Sequence, residues 1–150
     1  MKISEFLSPA DVIVDAGCTN KDQALRELAN RAASALGVSA DLIASELRKR
    51  EDLGSTGTGG GVAIPHARVD VVTKPYGVLM RLKRPIEFES MDGKPVDIVF
   101  MVLLPAKSSG DLLGPLAAIS RTLRSTDTIR SMRKATTSSE LAATVLHGGT

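Results

Sequence analysis

The sequence predicts an α+β domain with the element order β-α-α-β-β-β-α-α-α. Three observations carry that prediction. Short β-branched and aliphatic runs alternate with longer stretches whose apolar residues recur every three or four positions. A segment holding five of the 13 glycines, residues 54–61, separates the first helical pair from the central strands. The final third carries only helical patterns and helix-start signals.

Val12-Ile13-Val14, followed by Asp15, Ala16 and Gly17, reads as a strand. Thr19 and Asp22 are spaced as a helix start, with Thr19 as the cap. Leu25, Leu28, Ala32 and Leu36 then form one apolar stripe, and Gly37 ends the helix. Ser39 caps a second helix that turns Leu42, Ile43 and Leu47 inward, so the two helices form a hairpin. The glycine density of Gly54-Ser55-Thr56-Gly57-Thr58-Gly59-Gly60-Gly61 predicts a loop. Val62-Ala63-Ile64 reads as a short strand that Pro65 closes.

From Gly77 to Arg84 the alternation puts Val78, Met80 and Leu82 inside and Arg81 and Lys83 in water. Val96 to Leu104 is nearly all apolar, as a central strand covered on both faces requires. Met91-Asp92-Gly93-Lys94 is the turn between them. Helices follow at Leu113 to Leu123, Asp127 to Lys134 and Ser139 to Leu146. Pro115 belongs in a first helical turn, and Thr137 with Glu140 forms a capping box.

A chain of 150 residues without internal repeats or a linker implies one domain, residues 1–150. Its 43% hydrophobic and 24% charged residues place it among globular proteins rather than disordered ones. A formal charge of +2, three Phe, one Tyr and no Trp argue against nucleic acid as a partner. One cysteine cannot form an internal disulfide, which fits a reducing cytoplasm. Glu5 interrupts what a signal peptide would need, and the longest apolar run, Ile98 to Leu104, is too short to span a membrane. The expectation is a cytoplasmic protein with no membrane insertion.

Few residues offer chemistry. Cys18, His66 and His147 are too scattered for a zinc site, so no metal is expected. No Gly-x-Ser-x-Gly elbow exists. Cys18 reads as a small inert thiol, and His147 as a residue suited to a helix C-terminus. The glycine segment fails the Walker pattern, which needs Gly-Lys-Ser/Thr, and the dinucleotide pattern, since Val62 replaces the third glycine. It retains a backbone able to aim amides at one anion, with the hydroxyls of Ser55, Thr56 and Thr58 nearby. Arg50 abuts this segment, and its planar donors suit a phosphoryl group. His66 follows directly on Ile64-Pro65.

The run Arg50-Glu51-Asp52-Leu53-Gly54-Ser55-Thr56-Gly57 through Ala63-Ile64-Pro65-His66 resembles the signature of the enzyme IIA components of the bacterial phosphoenolpyruvate-dependent phosphotransferase system. The likeness is to the fructose/mannitol type, and within it to the nitrogen-regulatory branch. It extends over nearly the whole chain, including Pro95-Val96-Asp97 and Leu103-Leu104-Pro105. The fold it implies is a three-layer α/β/α sandwich around a mixed sheet. The chemistry it implies is phosphorylation of His66 by a histidine-phosphorylated carrier protein, without a cofactor. A neutral imidazole has a free lone pair for this, and catalysis reduces to alignment plus positive groups around the transferring phosphoryl. Loop amides, Arg50, Ser55 and Thr56 are the candidates for those groups.

The sequence departs from the family pattern at one telling place. A second histidine is usual shortly after the proline that closes the central strand, and here Leu112 occupies that position. Leucine cannot donate to a phosphoryl oxygen. Gly60 and Ala67 also replace the usual Asn and Gly. The leading expectation is a phosphocarrier that regulates a cytoplasmic partner through the charge state of His66. The alternatives are a sugar-specific component of a transport permease and, because of Leu112, a docking module that is not phosphorylated.

Overall fold

A computed structural model describes residues 1–107 and 113–147. Two short 3-10 turns, Ile3–Glu5 and Pro9–Asp11, lead into strand β1 (Val12–Ala16). Helices α1 (Lys21–Leu36) and α2 (Ala40–Asp52) form the expected hairpin. Gly37, with φ of 69°, ends α1 in the left-handed region. The cap of α1 is Asn20 rather than Thr19: its side chain accepts from Gln23 N at 2.8 Å. Thr19 instead donates its amide and its hydroxyl to Gln23 Oε1. The stripe holds at Leu25, Leu28, Ala32, Ile43 and Leu47, whereas Leu36 and Leu42 lie at its edges and remain exposed.

Five strands follow α2 where the sequence predicts three. They are β2 (Gly57–Gly59), β3 (Val62–Ala63), β4 (His66–Val69), β5 (Tyr76–Ile86) and β6 (Val96–Pro105). The glycine segment is therefore not all loop, since β2 pairs antiparallel with β3. Gly57 is needed there for close approach: a Cβ on it would lie 2.4 Å from Ser90 Oγ. Helices α3 (Gly114–Leu123), α4 (Thr126–Lys134) and α5 (Ser138–Leu146) complete the chain, with Pro115 in the first turn of α3. At α5, Thr137 Oγ1 accepts from Glu140 N, but Glu140 reaches back to Thr136 rather than to Thr137.

The sheet has the order β1-β5-β6-β3-β2, with β4 also on β6. It is mixed: β1 runs parallel to β5, β5 antiparallel to β6, and β3 and β4 parallel to β6. Alternation along β6 divides two cores. Val99, Met101 and Leu103 pack with α1 and α2, while Ile98, Phe100 and Val102 pack with α3, α4 and α5. This is the expected three-layer α/β/α sandwich.

Coverage of both faces explains why Arg81 is buried rather than solvated. Its guanidinium donates to Met132 O at 2.8 Å and Ala135 O at 2.5 Å, satisfying carbonyls that α4 leaves open at its C-terminal end.

Strands β3 and β4 are a single line along β6, interrupted at Ile64-Pro65. Val62 and Ala63 face Ile98 and Val99, and the register resumes with His66 opposite Val102. Pro65 has no amide to give the ladder, yet its carbonyl accepts from Val102 N at 3.0 Å. The break is where the candidate histidine is set.

Candidate functional site

His66 is half-buried at the first position of β4. Its Nδ1 lies 2.9 Å from Ile64 O. A carbonyl oxygen only accepts, so Nδ1 carries the hydrogen, and in the neutral ring Nε2 holds the lone pair. The side chain borders an open cavity of about 380 Å³ with Glu46, Lys49 and Arg50 of α2, Arg68 of β4, and Leu53 and Leu113. Three cations and one carboxylate thus line the cavity with the ring. Leu53 and Leu113, 85% and 70% exposed, leave two apolar side chains open on the same rim.

Each cation has a local reason to be there. Lys49 and Arg50 occupy the last turn of α2, where positive charge meets the negative end of the helix dipole. Lys49 Nζ lies 3.1 Å from Glu46 Oε1, and Arg50 Nη1 donates to Gly54 O at 2.8 Å. Arg68 follows His66 by two positions on a strand and therefore shares its face, while Ala67 and Val69 point into the core. Sequence reading did not single out Arg68. The signal would have been the period-two pattern, legible only once His66 is known to begin a strand.

Of the other sequence candidates, the structure brings Arg50 to His66 but not Ser55 or Thr56. Ser55 Oγ donates to Phe88 O at 2.6 Å and accepts from Gly57 N at 3.0 Å. Thr56 is buried, and its amide and hydroxyl both donate to the Glu51 carboxylate. Two further amides of the segment are committed as well: Gly54 N donates to Glu51 O, and Gly60 N donates to Asp92 Oδ2. Gly59 and Gly60 border a different cavity, shared with Arg124, Arg130 and Arg133. Through these bonds the glycine segment acts as a scaffold for the backbone that leads to His66.

That scaffold ends on His66. Thr56 O accepts from Ile64 N at 3.0 Å, and Ile64 O in turn holds the ring. Glu51, whose side chain is fully buried, also pairs with Lys21 Nζ at 3.0 Å. Neither Glu51 nor Lys21 announces such a role in the sequence, because one ends a helix and the other begins one.

Leu112 lies outside the described residues. Cys18 is half-buried, and burial first and Glu27 second push its thiol up, away from reactivity. His147 is the C-terminal cap residue of α5. Among the described residues no group of three or more His, Cys, Asp or Glu converges, and no helix is long and apolar enough to cross a membrane.

The family model described as phosphoenolpyruvate-dependent sugar phosphotransferase system, EIIA 2, matches residues 5–148. The nitrogen regulatory protein of Bradyrhizobium diazoefficiens is 42% identical over 133 residues, covering 89% of this chain and 87% of that protein. The nitrogen regulatory protein of Klebsiella oxytoca is 31% identical over 150 residues, covering 99% and 93%. The crystal structure of nitrogen regulatory protein IIA-Ntr from Neisseria meningitidis aligns with a TM-score of 0.89 at 29% identity, covering 95% of this chain and 98% of that one. A match along almost the full chain, in sequence and in fold, bears out the resemblance carried by residues 50–66: the chain belongs to the EIIA 2 family of the phosphoenolpyruvate-dependent sugar phosphotransferase system, in its nitrogen-regulatory branch.

Proposed function

We propose that His66 accepts a phosphoryl group from a histidine-phosphorylated carrier protein, and that the resulting charge state regulates a cytoplasmic partner. The observation that carries the reading is the His66 ring pinned through Nδ1 on Ile64 O beside a rim of three cations. Phosphotransferase IIA domains accept phosphate from a phosphocarrier and pass it to partners, and the nitrogen regulatory relatives favour regulation over sugar uptake.

In this mechanism the Nε2 lone pair of His66 attacks the donor's phosphorus in line. The donor's N–P bond breaks, its electron pair stays on the donor ring, and the Nε2–P bond forms. Bonding through Nε2 leaves the His66 ring positive until Nδ1 gives up its proton, and Ile64 O stabilises that charge. Arg50, Lys49 and Arg68 offset the negative charge spread over the three transferring oxygens. Ser55 and Thr56 act on the phosphoryl indirectly, by fixing the backbone that leads to Ile64.

Incubation with phosphoenolpyruvate and the two upstream carriers is expected to add one phosphate, about 80 Da, to the wild-type chain. His66→Ala should take up none. An unchanged wild-type mass would refute the reading and leave the docking module standing. Onward movement of the label to a sugar permease would favour the transport alternative.

A further inference from the structure

The hydrogen bond to Ile64 O is the only one the His66 ring makes among the described residues, so whatever holds Ile64 holds the ring. Tracing back, Ile64 N donates to Thr56 O at 3.0 Å. Thr56 is gripped twice by one carboxylate, its amide on Glu51 Oε1 at 3.1 Å and its hydroxyl on Glu51 Oε2 at 2.5 Å. The Glu51 side chain is 0% exposed. A carboxylate out of water persists only where donors and a counter-charge meet it, and here Lys21 Nζ supplies the third contact at 3.0 Å. Lys21 is in turn 4.8 Å from the centre of the Phe88 ring, and Phe88 O receives the Ser55 hydroxyl. Residues 55 and 56 are therefore each tied down immediately before the ribbon that carries the histidine.

We infer that Glu51, charge-paired with Lys21, is a positioning residue for His66: through Thr56 and the Ile64 carbonyl it keeps the ring's proton on Nδ1 and the lone pair on Nε2. The inference rests on His66 being the phosphoryl acceptor. Its logic is that of a ligand-orienting outer contact, in which a group that never touches the reacting atoms selects the tautomer that does the chemistry. An imidazole without such a hold favours the proton on Nε2, which would remove the nucleophile.

Two readouts on the same variants test it. The 15N resonances of His66 in the unphosphorylated protein distinguish a protonated nitrogen from one bearing a lone pair. The initial rate of labelling by the phosphorylated carrier reports the chemistry. Wild type is expected to show Nδ1–H. Glu51→Gln and Lys21→Met should shift the ring toward Nε2–H and slow labelling roughly tenfold. Thr56→Ser, which keeps both donors to Glu51, should restore the wild-type tautomer and rate; Thr56→Val should not. Should Glu51→Gln fail to fold, the Thr56 pair carries the test alone.

A wild-type tautomer and rate in Glu51→Gln, or in Thr56→Val, would overturn the inference. So would slow labelling with an unchanged tautomer, because that outcome means a merely structural role. If wild type takes up no label, the phosphocarrier reading fails, while the 15N comparison still decides whether Glu51 sets the ring.

Discussion

At the scale of single residues, the cations beside His66 differ in what they contribute. Arg50 is half-buried and anchored on Gly54 O, so its remaining guanidinium donors are held in place. A hydrogen bond to a charged group is worth roughly 1.5–3 kcal/mol, and each 1.36 kcal/mol off a barrier is about tenfold in rate. Arg50→Ala is therefore expected to slow phosphorylation of His66 by about tenfold or more, with Arg50→Lys recovering only part, since lysine offers a point charge without the planar fork. Arg68 is exposed, where solvent screens its charge, and Arg68→Ala should cost only a few-fold. Labelling kinetics at fixed donor concentration check both, and equal effects would contradict the ranking. That His66 and Arg50 share one cavity was legible in the sequence because motif and abutment put them close together. The hydroxyl directions of Ser55 and Thr56 were not, since spacing encodes proximity and not the acceptor that captures a side chain.

Among the elements, the helices were legible because an apolar stripe at helical spacing survives any tertiary context. Leu25, Leu28, Ile43 and Leu47 are all buried where the stripe puts them. Strands β2 and β4 were not: three residues rich in glycine and four opening after a proline carry no period long enough to read. They exist because β6 offers β4 a partner and β3 offers one to β2, while the segment 88–92 braces β2 through Met91 N, which donates to Gly57 O. That segment holds the glycine ribbon through Asp92, whose carboxylate accepts from Lys94 N and Gly60 N, both at 3.0 Å. Those two amides, Lys94 first, hold Asp92 below the usual carboxylate range. A depressed carboxyl stabilises the fold fully above its ordinary value and loses that contribution as pH falls through the depressed one. The Gly60 amide resonance should hence stay constant from neutral pH down to the ordinary aspartate range and titrate below it. In Asp92→Asn this titration should vanish. A midpoint at or above the ordinary value would show that the ribbon is not held by this carboxylate.

For the whole molecule, charge is the property that phosphorylation changes. The chain carries a formal +2, and a phosphoryl group adds nearly two negative charges, so the modified protein is close to neutral. Phosphorylation of His66, as proposed, places that change where Lys49, Arg50 and Arg68 outnumber Glu46, next to the open apolar side chains of Leu53 and Leu113. On the proposed function a carrier brings its negative phosphoryl to this rim, so the encounter should be steered by the field as well as by contact. Raising ionic strength from about 0.01 M to about 1 M shortens the screening length from about 30 Å to about 3 Å, which removes long-range steering but leaves buried contacts intact. Labelling at donor concentrations well below saturation should accordingly slow by roughly tenfold across that range. A Lys49→Glu/Arg68→Glu double variant should start slower and speed up as salt rises, because reversing two charges turns a net positive rim into a net negative one that repels the phosphoryl. Because Lys49 and Arg68 lie at the solvent edge, their reversal should leave the Nδ1 hydrogen bond to Ile64 O intact, so the same variant measured at high salt separates steering from chemistry. Convergence of the two proteins' rates there would assign the rim to encounter; a persistent gap would assign it to the transfer step itself.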